Sequence, residues 1–211
     1  MTKIVDLTMT MTPSMRGYAS EVASRKEVEG WNASTLTLYS HTGTHMDAPL
    51  HFIPGGNTIE NLDLQKCVGP CELIELRPIT PKALITIESL GGFAQTIKKG
   101  SRIILHTGWS KFADDTATYR DGLPRISREL ALFFAEKEIG FLGVEPPSVA
   151  DVNNMAEVTE IHEILLGAQI VIAEGLCNLD QIENNEFEIV ALPLKPEGGD
   201  GCPARIIALQ R

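Results

Sequence analysis

The amino-acid sequence predicts a mixed α/β domain. Short apolar segments of strand type alternate with helix-type segments in the middle of the chain, whereas strand-type segments cluster at both ends. This order favours a mixed α/β domain over an all-β barrel. A chain of 211 residues can bury a substantial core. No repeat, low-complexity tract or long linker divides it, so we expect one domain spanning residues 1–211.

In the N-terminal third of the chain, the sequence predicts three strands, with an arm between the first and the second. Apolar alternation and flanking breakers predict strands at residues 3–8, 34–40 and 71–77. The last of these is bounded by Gly69-Pro70 and by Pro78. The two dozen residues after the first strand are polar and contain glycine and methionine. They predict an excursion from the core.

The middle third predicts two helices around a buried strand. Residues 86–100 show helical periodicity and end in two lysines and Gly100, which is typical of a helix C-terminus. Residues 101–109 predict a buried strand that runs into a glycine turn. Residues 126–140 give the clearest helix, with Ser127 as its N-cap and Gly140 as its end.

The C-terminal third continues the alternation of strands and helices. A strand at 141–148 ends in two prolines, and a helix is expected near 156–167. Apolar segments of strand type then follow at residues 169–176, 187–194 and 204–209.

Composition excludes several classes of partner. A formal net charge of -10 argues against nucleic acid and against anionic membrane surfaces. No apolar run approaches the roughly 20 residues of a membrane span, and the first residues lack the apolar core of a signal peptide. We therefore expect a cytoplasmic protein with reduced thiols at all of its cysteines: Cys67, Cys71, Cys177 and Cys202.

The segment SHTGTHMDAPLHF at residues 40–52 contains three of the five histidines. No single regular element brings His41, His45 and Asp47 together, but Gly43 permits a sharp turn between them. We therefore expect a strand end bent into a compact loop. Two imidazoles and a carboxylate suit Zn²⁺, Mn²⁺ or Fe²⁺ and leave an open position for water. The alternative is a set of polar loop residues that hydrogen-bond to one another.

Three further residues are weaker candidates. His51 follows Pro49 and has three interpretations: a catalytic base beside the metal, a further ligand or a capping residue. His162 lies on the expected helix near 156–167, where a lone histidine is usually structural. Glu174 ends an apolar strand segment, a common location for functional carboxylates. By themselves His162 and Glu174 do not define a site.

The string HTGTHMDAPLHF closely resembles HxGTHxDxPxH, the signature of the metal-dependent cyclase family of hydrolases. This family includes bacterial kynurenine formamidases and isatin hydrolases. The segments EPPSVAD, AEGLCNLDQI and ALPLK…PARIIAL also look like the C-terminal half of that family, so the likeness covers nearly the whole chain. The resemblance implies a swivelling β/β/α fold assembled as a homodimer or homotetramer.

The resemblance also implies a ligand set for one or two Zn²⁺ ions, with Mn²⁺ as the alternative. Residues matching His41, His45 and Asp47 bind one ion in the formamidase branch. The matching aspartate bridges to a second ion held by the counterparts of His162 and Glu174.

The activity that the resemblance implies is metal-dependent hydrolysis of a small, aromatic amide. In the kynurenine formamidase branch, N-formyl-kynurenine and water give kynurenine and formate, a step of tryptophan catabolism. The counterpart of His51 transfers the proton as general acid and base. Isatin hydrolase-like opening of a lactam is the alternative within the family. Trp109 is a candidate to stack on an aromatic substrate, and packing of a loop is its alternative role.

Two other classes of function remain as alternatives. His45-x-Asp47 with a distant histidine matches the two-histidine, one-carboxylate pattern of mononuclear Fe(II) oxygenases, although His41, His51 and Glu174 would then have no role. The other alternative is a metal-binding protein without catalytic activity.

Overall fold

A computed structural model describes residues 2–210 of the chain. Its strands are β1 Lys3–Asp6, β2 Tyr18–Ser24, β3 Ala33–Leu38, β4 His45–Asp47, β5 Val68–Glu75, β6 Leu84–Ile85, β7 Arg102–His106, β8 Arg125–Ile126, β9 Phe141–Val144, β10 Val171–Glu174, β11 Glu186–Pro193 and β12 Gly201–Gln210. Its α-helices are α1 Lys26–Glu29, α2 Leu64–Cys67, α3 Thr116–Asp121, α4 Arg128–Glu136 and α5 Met155–Gly167. Short 3₁₀ helices occupy Pro49–His51, Ile59–Asn61, Glu88–Gln95, Trp109–Phe112 and Leu179–Gln181.

The main sheet closes on itself like a barrel. Its strand order is β1-β12-β11-β5-β7-β9-β10-β4, and β4 also pairs with β12. Strands β5, β7, β9 and β10 run parallel, while β11, β12, β4 and β1 join through antiparallel pairs. The three-residue strand β4 therefore closes the ring between β10 and β12.

Alternating side chains divide the core between the two faces of this sheet. One cluster contains residues from β1 and from all strands of the ring, such as Met46, Ile104 and Ala173. It fills the inside of the barrel. The other cluster contains their sequence neighbours, such as Leu105 and Ile172, together with apolar residues of α4 and α5. The two longest helices thus cover the outer face of the sheet.

The expectation of a mixed α/β fold is confirmed, and most expected elements are present. The prediction of a helix over residues 86–100 is wrong. That region forms only the 3₁₀ segment Glu88–Gln95, which is interrupted at Gly91 by a non-helical backbone with φ of 54°. A glycine pair at 91 and 92 gives the chain the freedom to kink there.

The expected arm is an exposed hairpin. Strands β2 and β3 form a separate two-stranded sheet, and most of their residues are exposed. Within residues 2–210, no helix is long and apolar enough to cross a membrane.

Helix α4 begins as expected but ends early. Ser127 is its N-cap, and the Ser127 Oγ accepts a hydrogen bond from the Leu130 N–H at 3.1 Å. The helix ends at Glu136 rather than at Gly140, because the backbone turns at Glu138 with φ of 51°.

Replacing the cap tests this assignment. We expect Ser127→Ala to lower the free energy of unfolding by about 1 kcal/mol, because one helix-terminal N–H loses its acceptor. Urea denaturation followed by circular dichroism measures the change. Ser20→Ala, on the exposed strand β2, is the matched control and should change stability by less than about 0.5 kcal/mol. Equal stabilities of the two variants would contradict the capping role.

Candidate active site

Strand β4 carries the centre of the site. Met46 points into the barrel core, so His45 and Asp47, two residues apart, project from the opposite face. The expectation of a loop is corrected here, because residues 45–47 form a strand. It pairs with β10 on one side and with β12 on the other. The turn expected at Gly43 is present, with φ of 60°.

Strand β10 and helix α5 bring the two distant candidates to the same face. Glu174 lies directly opposite His45 in the β10–β4 register, and His45 Nε2 is 3.3 Å from Glu174 Oε2. His162 Nε2 is 3.6 Å from Glu174 Oε1 and 3.7 Å from Asp47 Oδ2. All four of these side chains are buried. The fold thus brings together side chains that lie more than a hundred residues apart in the sequence.

Gly175 allows the strands to approach this closely. The Thr44 hydroxyl donates a hydrogen bond to the Gly175 carbonyl at 2.5 Å. A Cβ at position 175 would lie 2.5 Å from the Gly43 carbonyl oxygen, far inside van der Waals contact. The loop before β4 therefore packs against the end of β10 only because this residue is glycine.

Backbone carbonyls orient two of the imidazoles. His45 Nδ1 lies 2.9 Å from the Gly43 oxygen, and His162 Nδ1 lies 2.7 Å from the Val158 oxygen. Since a carbonyl only accepts, each Nδ1 carries a hydrogen, so Nε2, the nitrogen that faces the carboxylates, is the one that can bind a cation once it is deprotonated. A histidine held in this way by its other nitrogen is typical of metal ligands.

The Asp47 carboxylate has an unsatisfied oxygen. His41 Nδ1 lies 2.9 Å from Asp47 Oδ1, whereas the buried Oδ2 has no hydrogen-bond partner within the described chain. A buried carboxylate oxygen without a partner is costly, and a cation beside it would remove that cost. Ligand atoms of His41, His45 and Asp47 lie within 4.8 Å of one another, as do those of Asp47, His162 and Glu174. The imidazole nitrogens and carboxylate oxygens of both groups suit a divalent cation as ligands.

The pKa shifts follow from the same concentration of negative charge. Burial lowers the pKa of His41, but the hydrogen bonds and charges of Asp47 and Asp200 outweigh it and raise that pKa to about 9. Burial likewise opposes the charged form of His45 and of His162, yet neighbouring carboxylates raise the pKa of both rings. Without a cation, protons on imidazoles therefore balance the carboxylates.

His51 differs from the other three histidines of the site. It ends the 3₁₀ helix Pro49–His51, and its ring stacks on that of His41 with centroids 3.8 Å apart and an interplanar angle of 23°. Burial, followed by the charge of His41, lowers the pKa of His51, while the charge of Asp47 opposes this shift. His51 is therefore neutral at pH 7 and able to accept a proton.

The site opens into a cavity of about 570 Å³. This volume is in the range of pockets for small organic ligands. The residues 9–16, which follow β1, form part of its wall, and Phe52 stacks on His162 with ring centroids 4.5 Å apart. Residues 9–16 lie outside the signature and match no other motif, so sequence reasoning did not predict that they line the site.

Trp109 is not brought to this cavity. It is buried, its indole N–H donates to the Tyr119 carbonyl at 2.9 Å, and it is absent from the described cavity wall. Tyr39, Phe52 and Tyr119 supply the aromatic surface of the wall instead.

Comparison with known proteins places this geometry in context. A sequence model of the Cyclase family, described as "Putative cyclase", matches residues 5–151. The chain is 31% identical over 196 residues to a protein named kynurenine formamidase from Bacillus cereus, covering 92% of this chain and 88% of that protein.

Two solved structures are similar over the whole chain. Isatin hydrolase A from Ralstonia solanacearum superposes with a TM-score of 0.88 at 27% identity, covering 100% of this chain and 92% of that one. A Bacillus stearothermophilus protein described as a predicted metal-dependent hydrolase has a TM-score of 0.80 at 26% identity, with both chains covered completely.

The pKa of His41 predicts proton release when a cation binds. Below its pKa of about 9, His41 is protonated in the metal-free protein, and a ligating nitrogen must lose its proton. We expect at least one proton to be released per site at pH 7, and the apparent affinity to strengthen as pH rises from 7 toward 9. Calorimetric titration with Zn²⁺ in buffers of different ionisation enthalpy measures this. A binding enthalpy that is independent of the buffer would contradict the prediction.

Proposed function

This chain belongs to the cyclase family, and we propose that it is a metal-dependent hydrolase that cleaves the amide bond of a small aromatic substrate. The observation that carries the proposal is the unpartnered Asp47 Oδ2, which lies beside the imidazole of His162 near a ligand-sized cavity. Buried carboxylates and oriented imidazoles of this kind are what an amide hydrolase uses to hold a divalent cation.

The specific reaction proposed is that of a kynurenine formamidase, in which N-formyl-kynurenine and water give kynurenine and formate. The name of the Bacillus cereus relative supports this choice. The alternative is the opening of a lactam, which the likeness to isatin hydrolase A supports. Both reactions add water to an amide carbonyl, so the same constellation serves either.

The cation is proposed to be Zn²⁺, with Mn²⁺ as the alternative, bound as one or two ions. His41, His45 and Asp47 would hold one ion, and Asp47, His162 and Glu174 would hold the second. When bound, a divalent cation lowers the pKa of water and polarises a carbonyl.

His51 is proposed to move the proton. It lines the cavity, and its lowered pKa leaves it neutral at pH 7. A neutral imidazole accepts a proton from the attacking water and then donates it to the departing nitrogen of the amide. Phe52 and the His41 ring pack against His51, which limits the orientations of its imidazole.

The cavity wall also carries charges suited to an amino-acid tail. Arg16 and Asp114 both line the cavity, whereas Arg120, the other arginine of the wall, is paired with Asp121. A guanidinium binds a carboxylate, and a carboxylate binds an ammonium group. N-formyl-kynurenine has both groups on its tail and isatin has neither, so this pair favours the formamidase reaction.

We also propose that the protein is a cytoplasmic homodimer or homotetramer built from one domain spanning residues 1–211. The family resemblance and the composition support this.

Replacing His51 tests the reaction. Purified protein loaded with Zn²⁺ or Mn²⁺ should release formate from N-formyl-kynurenine. His51→Ala should lower kcat at least about 100-fold, because general acid–base catalysis is lost. Metal content, measured by mass spectrometry, should stay unchanged in the variant and serves as the control. An unchanged kcat would contradict the role of His51, and oxygen consumption with Fe²⁺ would instead indicate an oxygenase.

A second variant tests the substrate class. Arg16→Gln should raise KM for N-formyl-kynurenine about tenfold, because one charge-assisted hydrogen bond is lost. The KM for N-formylaniline, which has no tail, should stay the same. Arg25→Gln, an exposed arginine away from the cavity, is the matched control. An equal change for both substrates would contradict recognition of the tail.

A further inference from the structure

One carboxylate oxygen faces a nitrogen of each of the two stacked imidazoles of the site. Asp200 Oδ2 is 2.9 Å from His41 Nε2 and 3.7 Å from His51 Nδ1. Asp200 immediately precedes β12, and 159 residues separate it from His41 in the chain. Neither the expected ligand set nor the expected proton transfer includes this residue.

The His41 ring is fixed on three sides. Its Nδ1 lies 2.9 Å from Asp47 Oδ1, and its Nε2 faces Asp200. A Cβ at position 201 would lie 2.6 Å from His41 Cε1, so the ring packs directly on the Gly201 backbone. Of the two ring nitrogens, Nδ1 therefore faces the ligand group, and Nε2 retains its hydrogen for Asp200. A carboxylate behind a ligating histidine stabilises its tautomer and increases its basicity.

The His51 ring presents its Nδ1 to the same oxygen. At 3.7 Å this separation is longer than a hydrogen bond, and a shift of less than 1 Å would close it. With Nδ1 directed at Asp200, Nε2 lies on the opposite edge of the ring. A base whose second nitrogen is held by a carboxylate is the arrangement used to orient catalytic histidines.

The backbone around Asp200 is anchored to the same segment. The Ala48 N–H donates to the Asp200 carbonyl at 3.0 Å, and the Ser40 hydroxyl lies 3.4 Å from Asp200 Oδ2. The register of β12 with β4 places Gly201 opposite Asp47. The position of the carboxylate is thus tied to the strand that carries the ligand group.

We propose that Asp200 is a positioning residue that sets the tautomer of His41, so that Nδ1 faces the cation, and orients His51, so that Nε2 faces the substrate. The proposal deepens the function proposed above and rests on it for the role of His51. The part that concerns His41 requires only that a divalent cation binds.

Asp200→Asn tests the proposal, with Glu197→Gln as the matched control because it removes one exposed negative charge from the same loop. Zn²⁺ affinity, measured by competition with a chelator, should weaken about 10- to 100-fold in Asp200→Asn and stay unchanged in the control. Imidazole nitrogen NMR of the Zn²⁺-loaded protein should show the Nε2–H tautomer of His41 in the parent and its loss in Asp200→Asn. At saturating Zn²⁺, kcat for N-formyl-kynurenine should fall at least tenfold while KM is unchanged.

The outcomes distinguish the positioning role of Asp200 from the proposed hydrolase function. Unchanged Zn²⁺ affinity and an unchanged tautomer would overturn the positioning of His41, and an unchanged kcat would overturn that of His51. Loss of one full equivalent of bound Zn²⁺ would identify Asp200 as a ligand and also overturn the proposal. A parent protein without hydrolase activity would overturn the proposed function, while weakened Zn²⁺ binding in Asp200→Asn would still support the role toward His41. Asp200→Ser repeats these measurements if the asparagine variant does not fold.

Discussion

The buried carboxylate of Asp47 is the constraint on which the site depends. Its side chain is fully buried, and only one of its oxygens has a hydrogen-bond partner within residues 2–210. A carboxylate in such surroundings stays ionised only if positive charge lies beside it. Burial alone would raise the pKa of Asp47, but the hydrogen bond and charge of His41, followed by the charges of His45 and His162, lower it. Three imidazoles thus converge on Asp47, and their positive charge compensates the negative charge of its carboxylate.

The barrel explains how these groups reach one face. Side chains alternate along β4 and β10, so the residues that fill the barrel, Met46 and Ala173, leave their neighbours on the outer surface. Helix α5 covers that surface and contributes His162. A single packing rule thus builds the apolar core on one side of the sheet and the polar centre on the other.

Much of this arrangement could be predicted from the sequence, because its signals are local. Strand alternation, the Ser127 cap and the density of histidines at 41–51 each depend on a few neighbouring residues. The family resemblance added His162 and Glu174, which periodicity alone did not distinguish from structural residues. Asp200 and the segment 9–16 could not be found in this way, since only tertiary contacts bring them to the site. The helical periodicity of residues 86–100 does not predict the kink at Gly91, because periodicity takes no account of the conformational freedom of a glycine pair.

The short strand β4 has a consequence for biosynthesis. It is held by β10 and β12, which follow it in the sequence by more than a hundred residues. His45 and Asp47 therefore leave the ribosome long before the strands that position them. A nascent chain therefore carries the signature before it has the geometry. The spacing and the charge of these side chains are properties of the finished fold, not of the signature segment alone.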